Sequence, residues 1–280
     1  MSLKDLLVHL DATERSAARL QFAADLARRH GAHLTGLFVV DAVLPALAAA
    51  DAGGVAAVGV IDALREEGLA AAAKAEAAFR ACLRREDLPG EWRQAEGSIA
   101  EVVTQHARYA DLTILGQASP DGMPPGAGTV IEQVLFGAGR PVLVVPYADS
   151  FGVPGERALI GWNASREAAR AVRDALPLLV GAGTATVLVV SPGGAAGVHG
   201  EDPGADIARH LARHGVAVRV ERSSGTEISV ADILLNHAAE LQADLLVIGG
   251  YGHSRLREWA LGGVTRRLLQ EMTLPVLLSH

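Results

Sequence analysis

Residues 243–265 read ADLLVIGGYGHSRLREWALGGVT, and the fold follows from how this stretch changes character along its length. Leu245-Leu246-Val247-Ile248 is a continuous apolar run, the pattern of a strand covered on both faces and hence of a parallel sheet between helix layers. Glycine follows at once, at Gly249, Gly250 and Gly252, and after HSRLREWAL the pair Gly262-Gly263 opens the helix-like segment VTRRLLQEM. Glycines at a strand end allow close backbone approach, and a helix start carries free N–H groups and a positive dipole end. Strand, glycine loop and helix start together predict a cradle for an anionic group.

Working outward, the strand signature has a twin: ADLTILG at Ala110 answers ADLLVIG at Ala243. The correspondence extends in both directions. LLVHLDATERSAAR at Leu6 returns as ALIGWNASREAAR at Ala158, LFVVD at Leu37 as LVVSP at Leu188, and GAGRPVLVVP at Gly137 as EMTLPVLLSH at Glu271. Between the halves lies YADSFGVPGE, with the Pro and Gly of a linker. A chain of 280 residues exceeds the usual size of one hydrophobic core, so two domains are expected, at 1–148 and 155–280.

Within the first half, Leu6 to Val8 reads as a strand ending near Asp11, Ala12 to Arg29 as a helix stopped by Gly31, and Leu34 to Val40 as a second strand. The Ala- and Gly-rich segment 41–59 lacks a period and is expected to be a loop or lid. A long helix over Ile61 to Arg85 ends at Leu88-Pro89-Gly90. Then come a strand at Trp92 to Ala95, a helix at Ser98 to Tyr109, a strand at Leu112 to Leu115, a helix at Thr129 to Phe136 and a strand at Val142 to Val145. This alternation predicts an α/β fold with helices on both faces of a parallel sheet.

Composition narrows the function. The net charge of -7 argues against a general nucleic-acid binder, which needs clustered Lys and Arg, and no apolar run is long enough for a membrane span. One local basic group exists, Arg255, Arg257, Arg266 and Arg267, read first as a solvated face, with the approach of one or two of these arginines to bound phosphates as the alternative. The start MSLKDLLVHLDATERS carries Asp5 and Asp11 where a signal peptide would need an apolar core, and Cys82 is the single cysteine. Both point to the reducing cytoplasm, with Cys82 as packing.

The spacing Gly249-x2-Gly252-x9-Gly262-Gly263 resembles the nucleotide-binding signature of the universal stress protein (UspA-like) family, G-x2-G-x9-G-S/T, with Gly263 in place of the final Ser or Thr. The lost hydroxyl is worth about 1.5–3 kcal/mol as a hydrogen bond to a charged acceptor. Both halves look like domains of this family, in the strand-one ending at Asp11 or Asn163, the ADL-x-x-x-G strand and the Pro-Val-Leu final strand. The resemblance implies five-stranded parallel sheets in the order 3-2-1-4-5, a Rossmann-like, adenine nucleotide alpha hydrolase-like arrangement. It also implies pairing through the last strands, here as an intramolecular pseudo-dimer of the two domains, with a homodimer of chains left open.

Carried onto this chain, the resemblance places Asn163 at the nucleoside, Val190 at adenine, and Gly249, Gly252, Gly262, Gly263, Val264 and Thr265 around the phosphates of ATP or a related adenine nucleotide, with Mg accompanying them. A weaker first-half site comprises Asp11, Val40, Gly116, Gly128 and Thr129; Ser119 stands at its second glycine, and its loop is one residue short and stiffened by Pro124 and Pro125. The expected role is stress response by nucleotide binding without efficient catalysis. The rival is a nucleotide-independent scaffold acting through protein contacts, and an ATP-hydrolysing enzyme has only the loop in its favour.

Other chemistries fare worse. Neither Walker nor GxGxxG turns are present, and Leu256 occupies the glycine place of a nucleophile elbow begun by Gly252-His253-Ser254. His210 and His214 lie one helical turn apart without the Glu of a zinc hydrolase, so no metal site is expected. His106 and His237 hold equivalent helix positions, which suits packing, while Trp162 and Trp259 flank the proposed crevice as core or cover.

Overall fold

The predicted alternation of apolar strand and one-sided helix is what folds. The structure is a computed structural model that describes residues 2–41, 55–118, 130–147, 151–181, 183–190, 204–223, 228–250 and 263–280. The first repeat runs β1 (Asp5–Leu10), α1 (Arg15–His30), β2 (His33–Val40), α2 (Val55–Glu86), β3 (Gly90–Glu96), α3 (Ile99–Ala107), β4 (Leu112–Gly116), α4 (Val130–Gly137) and β5 (Val142–Val145). The second runs β6 (Arg157–Trp162), α5 (Arg166–Leu179), β7 (Thr184–Val190), α6 (Ala205–Arg213), β8 (Val218–Ser223), α7 (Val230–Glu240), β9 (Leu245–Gly249), α8 (Gly263–Glu271) and β10 (Val276–Ser279).

One expectation is corrected. Helix α2 begins at Val55, inside the segment read as a loop, because the Ala-rich helix extends back through Gly59, whose missing side chain faces open space. The remainder of that segment, 42–54, lies outside the described residues.

The described residues fall into two compact units: those of 3–116 and 130–140 form one, and those of 117–118 and 141–280, with Ser2, form the other. In the first unit the strands lie in the order β3-β2-β1-β4, all parallel, with β1 paired to both β2 and β4. In the second unit β8-β7-β6-β9-β10 are parallel, the 3-2-1-4-5 order of the family, and β5 adds to β10 antiparallel. The last strand of the first repeat thus packs with the second repeat. Val144 faces Val276, Leu143 faces Leu277 and Val142 faces Leu278, so two apolar strands that would each be an association hazard at an open edge cover one another. Gln117 secures this end: its N–H donates to Val145 O at 2.8 Å, its Nε2 to Leu269 O at 2.9 Å, and its Oε1 accepts Tyr147 N–H at 3.1 Å.

Packing explains several sequence features. Gly36 on β2 is required by its neighbour, since a Cβ there would come within 2.7 Å of the Phe79 ring, the large fully buried side chain by which α2 sits on the sheet. Trp92 on β3 joins Phe38, Val40 and Ala72 in the same cluster. Cys82 is buried on α2, and burial pushes its thiol up despite the nearby Arg85 guanidinium, as suits packing.

The repeated ADL motif is a structural staple. Asp111 Oδ2 accepts the N–H groups of Lys4 and Asp5 at 2.7 and 3.1 Å, fastening the start of β1. Asp244 does the same for β6, taking the N–H groups of Gly155, Glu156 and Arg157 at 2.8, 2.9 and 3.1 Å. Asp244→Ala leaves three donors without this acceptor and is expected to cost about 2 kcal/mol. Urea unfolding monitored by circular dichroism measures this, and a loss under about 0.5 kcal/mol would show that water replaces the carboxylate at no penalty.

Candidate functional site

In an open parallel sheet the binding crevice lies beyond the carboxyl ends of adjacent strands whose connections leave to opposite sides. Here that places it at the ends of β6 and β9, and of their counterparts β1 and β4. In the second repeat β6 ends at Trp162, and the chain turns through Asn163 into α5. Asn163 is exposed, its Oδ1 accepting Ser165 N–H at 3.1 Å. Ser165 caps the helix, its Oγ accepting Ala168 N–H at 3.1 Å. Ala164 between them has φ 56°, a left-handed conformation that costs a non-glycine residue about 1–2 kcal/mol. The capped helix start holds this turn.

Gly249 ends β9 against Ser279. A Cβ at Gly249 would lie 2.5 Å from Glu167 C and closer still to Ala168 N, so the first turn of α5 rests directly on the strand end. Glu167 in that turn is 5% exposed. Burial pushes its carboxyl up, but Arg166 Nε and a backbone N–H bonded to it, with His280 nearby, bring it below the usual carboxylate range. His280 Nδ1 in turn lies 3.1 Å from Gly250 O.

Helix α8 opens at Gly263. Gly263 is exposed with nothing within 4 Å of where its Cβ would be, and Val264 is 39% exposed. Thr265, by contrast, is 5% exposed, so its hydroxyl is turned away from solvent. Arg267 pairs with Asp232 at 3.1 Å and Glu271 at 3.3 Å, as a solvated face would. Val190 lies half-buried at the end of β7, in register with Ser223. Gly252, Gly262, Arg255, Arg257 and Trp259 lie outside the described residues, as do Ser119, Gly128 and Thr129 of the first repeat.

The first-repeat counterpart differs in its interior. Asp11 Oδ1 accepts Thr13 N–H at 2.9 Å, the same turn that Asn163 makes, but Oδ2 accepts Arg19 Nη2. Burial pushes the Asp11 carboxyl up, and the Arg19 guanidinium with the Thr13 hydrogen bonds outweighs it and holds the group low. Val40 is 2% exposed and its carbonyl accepts Gly97 N–H at 3.1 Å. Gly116 lies under the Arg19 guanidinium.

Sequence reasoning missed Arg19 and Glu167. A signal for the first existed: Arg19 falls on the stripe of Ala23, Leu26 and Ala27 that α1 buries, an odd place for a guanidinium.

A separate cavity of about 310 Å³ opens at the opposite end of the first unit's sheet, lined by Asp5, His33, Thr35, Glu91, Arg93 and His106. Arg93 Nη1 lies 3.1 Å from His106 Nδ1, and burial followed by that guanidinium lowers the His106 pKa. Its place at the strand starts separates it from the crevice. His210 on α6 and His214 just past its end are exposed and meet edge to face at 4.7 Å, and no group of three metal-ligating side chains occurs among the described residues. Among those residues no helix is long and apolar enough to cross a membrane.

Comparison with known proteins bears on both repeats. The universal stress protein family matches twice, over residues 2–146 and 156–280. The universal stress protein Slr1230 of Synechocystis sp. is 33% identical over 75 residues, 24% of this chain and 26% of that relative, so the match spans about a quarter of it. A universal stress protein from Archaeoglobus fulgidus shares the fold with a TM-score of 0.69 at 20% identity, over 98% of this chain and 96% of that one. A functionally unknown protein from Pseudomonas aeruginosa PAO1 does so at 0.57 and 16% identity, over 99% and 92%. Matched at both repeats over most of its length, the chain belongs to the universal stress protein family, as a tandem member with two Usp repeats.

Proposed function

We propose that the second repeat binds ATP or a related adenine nucleotide, and that the protein serves the stress response by binding it, without efficient turnover. The observation that carries the reading is the start of α8: Gly263 is exposed and nothing lies within 4 Å of where its Cβ would be, and it opens a nine-residue helix whose N-terminal dipole end favours an anion. Asn163, exposed just beyond the end of β6, would meet the nucleoside. Phosphates would lie over Gly249, Gly252, Gly262, Gly263 and Val264, with Mg carried in on the phosphate oxygens. Thr265 contributes through its backbone in this reading, its side chain being buried.

The missing hydroxyl gives a sharp prediction. Because a Cβ at Gly263 meets nothing, Gly263→Ser adds a donor without a clash. ATP should bind roughly tenfold tighter or more, from a charge-assisted bond of about 1.5 kcal/mol. Isothermal titration of both proteins checks this; equal affinities would remove the α8 start from the site. Release of bound nucleotide on denaturing freshly purified protein, and loss of ATP binding in Gly252→Val, test the reading itself.

The scaffold reading has one observation in its favour. The buried acid Glu167 packs its backbone and Cβ against Gly249, and an acid so placed disfavours an anion there. If no nucleotide is released and none binds, this reading takes over, and protein contacts become the function.

A further inference from the structure

The two repeats differ at the point where the crevice begins. Leu6 and Ala158 hold the same register against their neighbours, Leu6 opposite Leu112 and Ala158 opposite Leu245. Counting thirteen residues on from each sets Arg19 opposite Ala171. The matching AAR letters of the two repeats would instead set Arg19 against Arg170, but the buried faces decide. Leu20, Ala23, Ala24, Leu26 and Ala27 of α1 then fall on Val172, Ala175, Leu176, Leu178 and Leu179 of α5, all buried. Arg170 is exposed and pairs with Asp174 at 2.8 Å.

Arg19 is 5% exposed, and its guanidinium spans the gap between the ends of β1 and β4. Nε donates to His9 O at 2.7 Å, Nη2 donates to Asp11 Oδ2, and Nη1 lies so close over Gly116 that a Cβ there would overlap it. The acid that would otherwise face a ligand is thereby consumed. Among the described residues of the second repeat no side chain plays this part. Ala171 stops at its Cβ and is 1% exposed, Asn163 keeps its side chain in solvent, and Gly249 is met by helix backbone.

We propose that Arg19 is the residue that decides which repeat takes the nucleotide: its guanidinium stands in the first crevice and uses up Asp11, leaving binding to the second. This rests on the nucleotide reading of the second repeat. A ligand entering the first crevice has to expel a buried guanidinium from a carboxylate and a carbonyl at once, and neither is then satisfied. An arginine also cannot shed its charge to make the exchange easier.

The test is ATP stoichiometry by equilibrium dialysis on the full chain, wild type against Arg19→Ala. Alanine is what the second repeat already carries at this position, and Arg19→Val serves beside it if alanine lowers the Tm. The expected result is one additional equivalent of ATP per chain in the variant. An unchanged count overturns the proposal, and so does a lost equivalent, which would make Arg19 a phosphate ligand. The second-repeat reading is judged separately by the wild-type count, which is zero if that reading is wrong, whereas this inference is read only from the change. An independent arm uses Gly116→Ala, which should lower the Tm in the wild type and leave it unmoved beside Arg19→Ala. Equal losses in both backgrounds would place the guanidinium elsewhere.

Discussion

Gly249→Ala is expected to destabilise the second repeat by about 3 kcal/mol, lowering the Tm by roughly 6–12 °C at 2–4 °C per kcal/mol. The reason is the identity of what the new methyl group meets. At Gly36 the obstruction is a side chain, the Phe79 ring, but at Gly249 it is the backbone of Glu167 and Ala168. That backbone is the first turn of α5, pinned by the Ser165 cap, so relief requires the whole helix start to lift from β9. Lifting it would also bring the 5% exposed Glu167 carboxylate out of its pocket and disturb Asn163 two residues before the cap. Nucleotide affinity should therefore fall together with stability. Calorimetric unfolding of wild type and variant checks the first effect. A Tm change below about 2 °C would mean that α5 is not seated on the strand end, and the site geometry built on it would fail.

The second large effect is acid sensitivity above the carboxylate range. His9 on β1 is 9% exposed, and burial, reinforced by the Arg19 guanidinium and opposed by Asp11, lowers its pKa from 6.5 to about 4. The unfolded chain therefore binds the proton first. Stability from the neutral imidazole is complete above pH 6.5, declines as pH falls below that value, and is gone below about 4. The loss is on the order of 3 kcal/mol at 1.36 kcal/mol per pKa unit. His30 and His106 are lowered as well, burial first in each case, so they steepen the same window. Asp11, held low by Arg19 and Thr13, adds its loss only at more acidic pH. Urea midpoints at pH 7.5, 6, 5 and 4.5, for wild type and His9→Gln, separate the terms. The wild type should weaken steadily through the series and the variant by distinctly less; parallel curves would take His9 out of the account.

The architecture was legible in the sequence where hydrophobic runs were long or repeated. LLVI, PVLVV and PVLL have one physical solution, a strand buried on both faces, and the recurrence of ADL-x-x-x-G announced two copies. The boundary of α2 was not legible, because glycine at 59 has the same letter whether it breaks a helix or is tolerated on its exposed face. The ADL aspartates were visible as a motif and silent as to role. Their work of collecting the N–H groups of a strand start more than eighty residues away exists only once the chain has folded.

What the sequence by itself determined is the α/β class, the duplication and the family, since these depend on local periodicity and on spacing that survives in one dimension. Only the tertiary structure decided the interior of each crevice. Asp11 and Asn163 occupy matched places, but whether such a side chain faces a ligand or a guanidinium depends on Arg19 arriving from a helix turn away and on Gly116 leaving room for it. Likewise β5 belongs to the first repeat by its letters and to the second unit by its hydrogen bonds with β10. In both cases the outcome turns on which groups are buried together, a property of the packed chain that no window of residues contains.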